Sequence, residues 1–183
     1  MARTDDWDTW KQRLKKRREG KDRFFREDPR SPIPASEADG FTGLRYYPPD
    51  PDYHLRLELY EHEPKEPVRV DVTRGEPRDL VRWGEFRFRL GGEDRTLQAY
   101  RSDPDAERLF VPFRDATAGD ETYELGRYLD LEPQLHRVAD RWILDFNEAY
   151  NPWCAYSDQY SCVVPPRENE LDVPVRAGEK RYE

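Results

Sequence analysis

The chain of 183 residues is poor in the residues that usually announce chemistry, with two cysteines, three histidines, six lysines and no apolar run of eighteen residues. The last absence excludes an apolar membrane-spanning helix. The N-terminal stretch MARTDDWDTWKQRLKKRREG also lacks the short apolar run of a secretory signal, so a cytoplasmic location without a membrane partner is expected. Two cysteines in that compartment are by default reduced thiols. Cys154 and Cys162 form no CxxC pair, and His54, His62 and His136 all lie outside the motif-bearing stretches. No metal ligand set, no cofactor and no Cys–His nucleophile is therefore expected. Two small buried hydrophobes are the leading reading of the cysteines, with a disulfide or redox pair as the alternative.

The shortage of lysine is offset by 25 arginines, yet 39 acids outnumber 31 bases and the formal net charge is −8. Affinity for a phosphate backbone rests on clustered Lys and Arg, and the one basic run, Lys11 to Lys21, has acids on both sides, so no nucleic-acid partner is expected. An acidic, arginine-rich surface suits a salt-loving source and is equally a product of a high-GC genome.

What the chain does have is aromatic bulk: five Trp, eleven Tyr and eight Phe. These supply the buried area that disordered chains of similar charge lack, and the length suits one domain with one core. Residues Asp5 to Glu27 place Trp7, Trp10, Leu14, Phe24 and Phe25 at helical spacing, with Thr4 or Asp5 available as N-cap. They predict an N-terminal amphipathic helix, within residues 1–30, packed on a β-rich domain spanning 31–183. The proline-rich EDPRSPIPASEADG ends that helix as an extended linker. Alternation then replaces the helical period. Tyr53, Leu55, Leu57 and Leu59 share one face of YHLRLELY, and Val68, Val70 and Val72 one face of VRVDV.

Two alternating runs flank Gly91 and Gly92, a pair suited to the positive backbone dihedrals of a tight hairpin. Further strands are expected at Arg108 to Phe113, Tyr123 to Leu131, Arg141 to Phe146 and Leu171 to Arg176, and GEKRYE reads as a loose tail. Without crossover helices, seven or eight such strands predict a mainly β fold, an antiparallel curled sheet closing as a barrel or sandwich, with the one N-terminal helix.

Three stretches stand apart from this background. The first carries Asp115, Thr117, Gly119, Thr122, Tyr123, Gly126 and Arg127. The second carries Asp145, Phe146, Asn147, Ala149, Tyr150, Asn151, Pro152, Cys154 and Cys162, and the third Pro165, Pro166, Glu168, Asn169, Ala177, Gly178, Glu179 and Lys180. In these motifs the chain resembles the bacterial and archaeal family known as domain of unknown function 1684, with Trp153 and Val163 as small departures. The resemblance implies the place of a site rather than a reaction.

Read from the residues, Arg127 shares a strand face with Tyr123, Leu125 and Leu129, where a guanidinium needs a carboxylate of the protein or an anionic ligand. Pairing with Asp115, Glu121 or Asp145 as a sheet lock is the structural alternative. Asp145 and Asn147 lie two apart and either orient a substrate or end the strand as an Asx turn. The expected ligand-binding set is Thr117, Tyr123, Arg127, Asn147, Tyr150, Asn151, Glu168 and Asn169. Asp115, Glu121 and Asp145 are the candidate acids or bases. Three functions follow: a binder of a small polar or anionic molecule in a pocket formed by the DATAGDETYELGR and DFNEAYNPWC segments, a hydrolase or lyase using one of those acids beside Arg127, and a structural or partner-binding module. Ligand identity and oligomeric state are not legible.

Overall fold

In the computed structural model, which describes residues 4–182, the chain forms one long helix and two antiparallel sheets. Helix α1 spans Thr4–Glu27. Its stripe is the expected one: Trp10, Leu14 and Phe25 are buried, and Phe25 packs edge-on against Tyr156 with ring centroids 5.1 Å apart. The side chains of Thr4 and Asp5, the expected caps, lie outside the described residues.

The strands are β1 (His54–Leu57), β2 (Leu59–Val70), β3 (Arg78–Leu90), β4 (Glu93–Arg101), β5 (Leu109–Phe113), β6 (Arg127–Leu131), β7 (Arg137–Val138) and β8 (Arg141–Asp145). Short helix α2 (Pro133–His136) links β6 to β7. The five-stranded sheet has the order β2-β3-β4-β5-β6 and the three-stranded sheet the order β1-β8-β7. The result is two sheets rather than a closed barrel.

The β3–β4 hairpin turns at Gly91 and Gly92, with φ of 64° and 79°, as the glycine pair requires. YHLRLELY divides at Glu58: its first half pairs with β8, His54 opposite Asp145, and its second half opens β2 against β3. One alternating segment thus serves both sheets while Leu55, Leu57 and Leu59 keep packing on the same core. The expected strand Tyr123–Leu131 begins only at Arg127, so Tyr123 and Leu125 do not share its face. Gly126 is the cause. Its φ is 108°, and a Cβ there would lie 2.4 Å from the Phe113 carbonyl oxygen, so the chain turns where two backbones meet.

Leu171–Arg176 forms no strand among the described residues. Its alternation reflects the burial of Leu171 and Val175, while its backbone bonds go elsewhere: the Leu171 amide to the Arg114 carbonyl, the Val175 amide to the Asp115 carboxylate. The expected loose tail is also tied. The amides of Glu179, Lys180 and Arg181 donate to the carbonyls of Ala149, Arg45 and Glu121.

The main core joins Phe86, Leu97, Val111 and Leu129 of the larger sheet to Trp142 and Leu144 of the smaller. A second apolar layer, including Leu80, Tyr100, Tyr128, Cys162 and Val163, covers the other face of the larger sheet. Both faces of that sheet are therefore occupied, which allows a cleft on the outer side.

Candidate functional site

The polar motif residues separate into knots, each bonded among its own members and to neighbouring backbone. Asp115 and Arg127 form the first. The Arg127 side chain has no exposed surface, and Nη2 donates to Asp115 Oδ1 at 3.2 Å and to the Val175 carbonyl at 2.8 Å. Nη1 donates to the carbonyls of Ala177 and Glu179. The guanidinium lies 5.2 Å from the Phe113 ring centroid, and Nε alone has no partner. The other Asp115 oxygen accepts from Val175 N at 2.7 Å, Thr117 N at 3.2 Å and Thr117 Oγ1 at 2.8 Å. Arginine is the residue type this position needs, because its flat fork reaches one carboxylate and three carbonyls of a strandless segment at once.

Asp145 and Asn147 form the second knot. Asp145 ends β8 and caps the following 3₁₀ turn, accepting from Asn147 N at 3.0 Å. The same carboxylate accepts from Asn147 Nδ2 and from Trp10 Nε1, both at 2.8 Å, and lies 2.9 Å from His54 Nδ1. Burial alone would raise its pKa. The bonds from His54, Asn147 and Trp10 outweigh burial and hold the carboxyl below the usual aspartate value. Asn147 then clasps Asp50 on both backbone groups, at 2.9 and 2.8 Å.

Asn169 makes the same kind of clasp, accepting from Gln98 N at 2.7 Å and donating to the carbonyls of Gln98 and Pro112 at 3.0 and 2.7 Å. Beside it Glu168 accepts from Tyr100 and Arg82. Asn151 sits with Glu179: its amide donates to the buried Glu179 carboxylate, which also pairs with Lys21 of α1 at 2.6 Å. Glu179 is only 1% exposed, so this carboxylate is part of the interior. Glu121 lies at the surface, where Arg176, then Tyr47, hold its pKa down against modest desolvation. A general base working near neutral pH needs the opposite shift, and neither Glu121 nor Asp145 has it.

Arg127 and Asn147 thus belong to different knots. Helix α1 closes over the second motif, Arg18 donating to the carbonyls of Tyr47 and Asn147 at 3.0 and 3.2 Å.

The open space is elsewhere. On β5 and β6, Val111, Phe113, Arg127 and Leu129 face the core, so Phe110, Tyr128 and Asp130 face the other way. Between that outer face and the 150–163 loop lies a cleft of about 610 Å³. Its walls are aromatic: Phe110 and Tyr128 meet edge-on at 4.8 Å, Tyr128 and Tyr150 at 5.7 Å, Trp153 and Tyr160 at 5.2 Å. Arg78, Arg108, Asp130 and Ser161 supply polar groups. The Tyr150 hydroxyl donates to Asp130, and Arg108 Nε stands 4.0 Å from that carboxylate. Tyr150 is the one expected ligand residue on this lining. Arg78, Arg108 and Asp130 were missed because each reads as an ordinary outward residue of a separate segment, and Ser161 because its motif was read through Asp145, Asn147, Tyr150 and Asn151 instead.

A second hollow of about 560 Å³, across the same loop, is lined by Tyr123, Cys154 and Tyr156 among others. The Tyr123 hydroxyl lies 3.4 Å from Cys154 Sγ.

Residues 39–180 match the family described as "Protein of unknown function (DUF1684)". A solution NMR structure of an uncharacterized protein from Haloarcula marismortui is similar over 97% of both chains, with 42% sequence identity and a TM-score of 0.75. No curated protein matches the chain.

Proposed function

Since the chain belongs to the DUF1684 family of proteins of unknown function, we propose that it acts as a small-molecule binding protein, taking a ligand with a flat apolar body and an anionic group into the outer cleft. The carrying observation is the lining, where Phe110, Tyr128, Tyr150, Trp153 and Tyr160 surround a space of ligand size and Arg78 and Arg108 stand at its edge. Pockets that bind small molecules combine such apolar walls with a few convergent polar groups. Arg108 is the stronger anion anchor, because Arg78 already donates to the Ser161 carbonyl at 2.7 Å.

In this reading Tyr150 touches the ligand. Asp115, Thr117, Arg127, Asn147, Asn151 and Asn169 act one step back, fixing the segments from which the cleft wall is built. The helix and the β-rich part work as one unit, since α1 is bonded to the second and third motifs. We place the protein in the cytoplasm, where its two free thiols rest in the reduced form.

The test is an amide NMR titration with a panel of aromatic carboxylates and aryl phosphates. Saturable shifts confined to the residues lining the cleft, among them Phe110, Tyr128, Tyr150 and Cys162, and weakened about tenfold by Arg108→Ala, are expected. Shifts elsewhere, or no saturable shift for any compound, would overturn the reading.

A further inference from the structure

The two cysteines occupy a built arrangement that the binding reading does not use. Cys162 is fixed by reciprocal bonds to Thr73: its amide donates to Thr73 Oγ1 at 3.0 Å, and its carbonyl accepts from Thr73 N at 2.9 Å. Cys154 sits on the 3₁₀ turn Trp153–Ala155, which brings its amide within 3.2 Å of Cys162 Sγ as a donor. The thiols are unbridged, and the Cys154 amide ties the two positions together through the Cys162 sulfur. Cys162 faces the outer cleft beside Arg78, while Cys154 faces the second hollow beside Tyr123.

These surroundings are unequal. The thiol hydrogen of Cys154, its backbone amide and the charge of Arg78 favour a thiolate on Cys162, and against the cost of burial they bring that pKa down to about 6. The thiol of Cys154 is driven the other way, first by its bond to Cys162 and then by burial. The surroundings thus favour the thiolate on Cys162 and the protonated thiol on Cys154. This is the division of labour between an attacking and a resolving thiol.

We propose that Cys154 and Cys162 form a redox-active dithiol in which Cys162 reduces a hydroperoxide entering through the cleft and Cys154 resolves the product as an intramolecular disulfide. The Cys162 thiolate attacks one peroxide oxygen. An S–O bond forms, the O–O bond breaks, and its electron pair leaves on the second oxygen, which takes a proton from water. The Cys154 sulfur then attacks the sulfenic sulfur. The S–S bond forms, the S–O bond breaks, and the departing hydroxide takes the Cys154 proton as water. The dithiol loses two electrons, and the peroxide accepts them. Only a small oxidant suits the site, since Cys162 is 8% exposed.

The experiment uses the full reduced chain without ligand, so its result is separate from that of the NMR titration. At pH 7, limited iodoacetamide followed by peptide mapping should label Cys162 about tenfold faster than Cys154. One equivalent of hydrogen peroxide should remove both thiols with a loss of 2 Da and no covalent dimer, reversed by dithiothreitol. In Cys154→Ser the same treatment should leave a sulfenic acid on Cys162 that dimedone captures, while Cys162→Ser should leave Cys154 unoxidised. Equal labelling of both cysteines in the unmodified protein, thiols that survive tenfold excess peroxide, or a disulfide formed only between chains would each overturn the proposal. The labelling and mass measurements need no variant, so a substitution that fails to fold does not protect the idea.

Discussion

The polar interior and the outer cleft lie on opposite faces of β5 and β6, and they use polar residues in opposite ways. Inside, Asp115, Arg127, Asn147 and Asn169 turn nearly every donor and acceptor onto backbone groups of segments that form no ladder there. Outside, Arg108 and Asp130 stand 4.0 Å apart with room beside them. Backbone groups taken from water must be paired, so side chains replace the missing ladder bonds wherever the chain is irregular and buried. Polar density in a motif thus measures irregular buried backbone at least as much as it measures chemistry.

The largest effect that tests this contrast is Arg127→Met. It keeps the apolar bulk over Phe113 but strips partners from Asp115 and from the carbonyls of Val175, Ala177 and Glu179. Breaking a buried pair by removing one member costs about 3–5 kcal/mol, and urea unfolding should show a loss of that size. A loss under about 1 kcal/mol would mean that Arg127 does not lock the interior, and would return it to the candidate ligand residues. Asn169→Ala comes next. It orphans the Gln98 amide and carbonyl and leaves the Pro112 carbonyl without that donor, so about 2–3 kcal/mol should be lost in the same assay.

How much of this was legible follows the same divide. The helical stripe of α1 and the glycine hairpin are local signals, and they appear where the sequence puts them. The alternation of Leu55, Leu57 and Leu59 was also correct, but it runs unbroken through the point at which the chain changes sheets, so period alone could not show the break at Glu58. Leu171–Arg176 shows the converse. Its alternating burial is real, but the partner of the Val175 amide is a carboxylate sixty residues earlier, which no periodicity encodes. Among site residues, the motifs directed attention to the knots and to Tyr150. The cleft takes Arg78, Arg108, Asp130 and Ser161 from four distant segments, and only the fold brings them together.

A smaller and pH-dependent effect separates the interior from its helical cover. His136 lies 2.7 Å from Glu148. Burial disfavours its charged form, yet the bond and charge of Glu148 overcome this and raise its pKa. A raised folded pKa gives stability that is fully present below the unfolded value, near 6.5, and is lost as pH rises through the folded value. The stability advantage of the unmodified chain over His136→Gln should therefore be greatest below about pH 6 and shrink toward pH 9. An advantage that stays flat across that range would show that Glu148 does not hold a proton on His136.

The smallest effect is at the cleft. Arg108 has a half-exposed side chain whose nearest carboxylate, Asp130, already accepts the Tyr150 hydroxyl, so removing the guanidinium leaves no buried group without a partner. Arg108→Ala should shift unfolding stability by no more than about 0.5 kcal/mol, as surface substitutions usually do. The two faces of β5 and β6 would then differ at least sixfold in what an arginine contributes to folding. A loss of 2 kcal/mol or more at Arg108 would instead make the outer face structural like the inner one, and would leave the cleft without a residue free to meet a ligand.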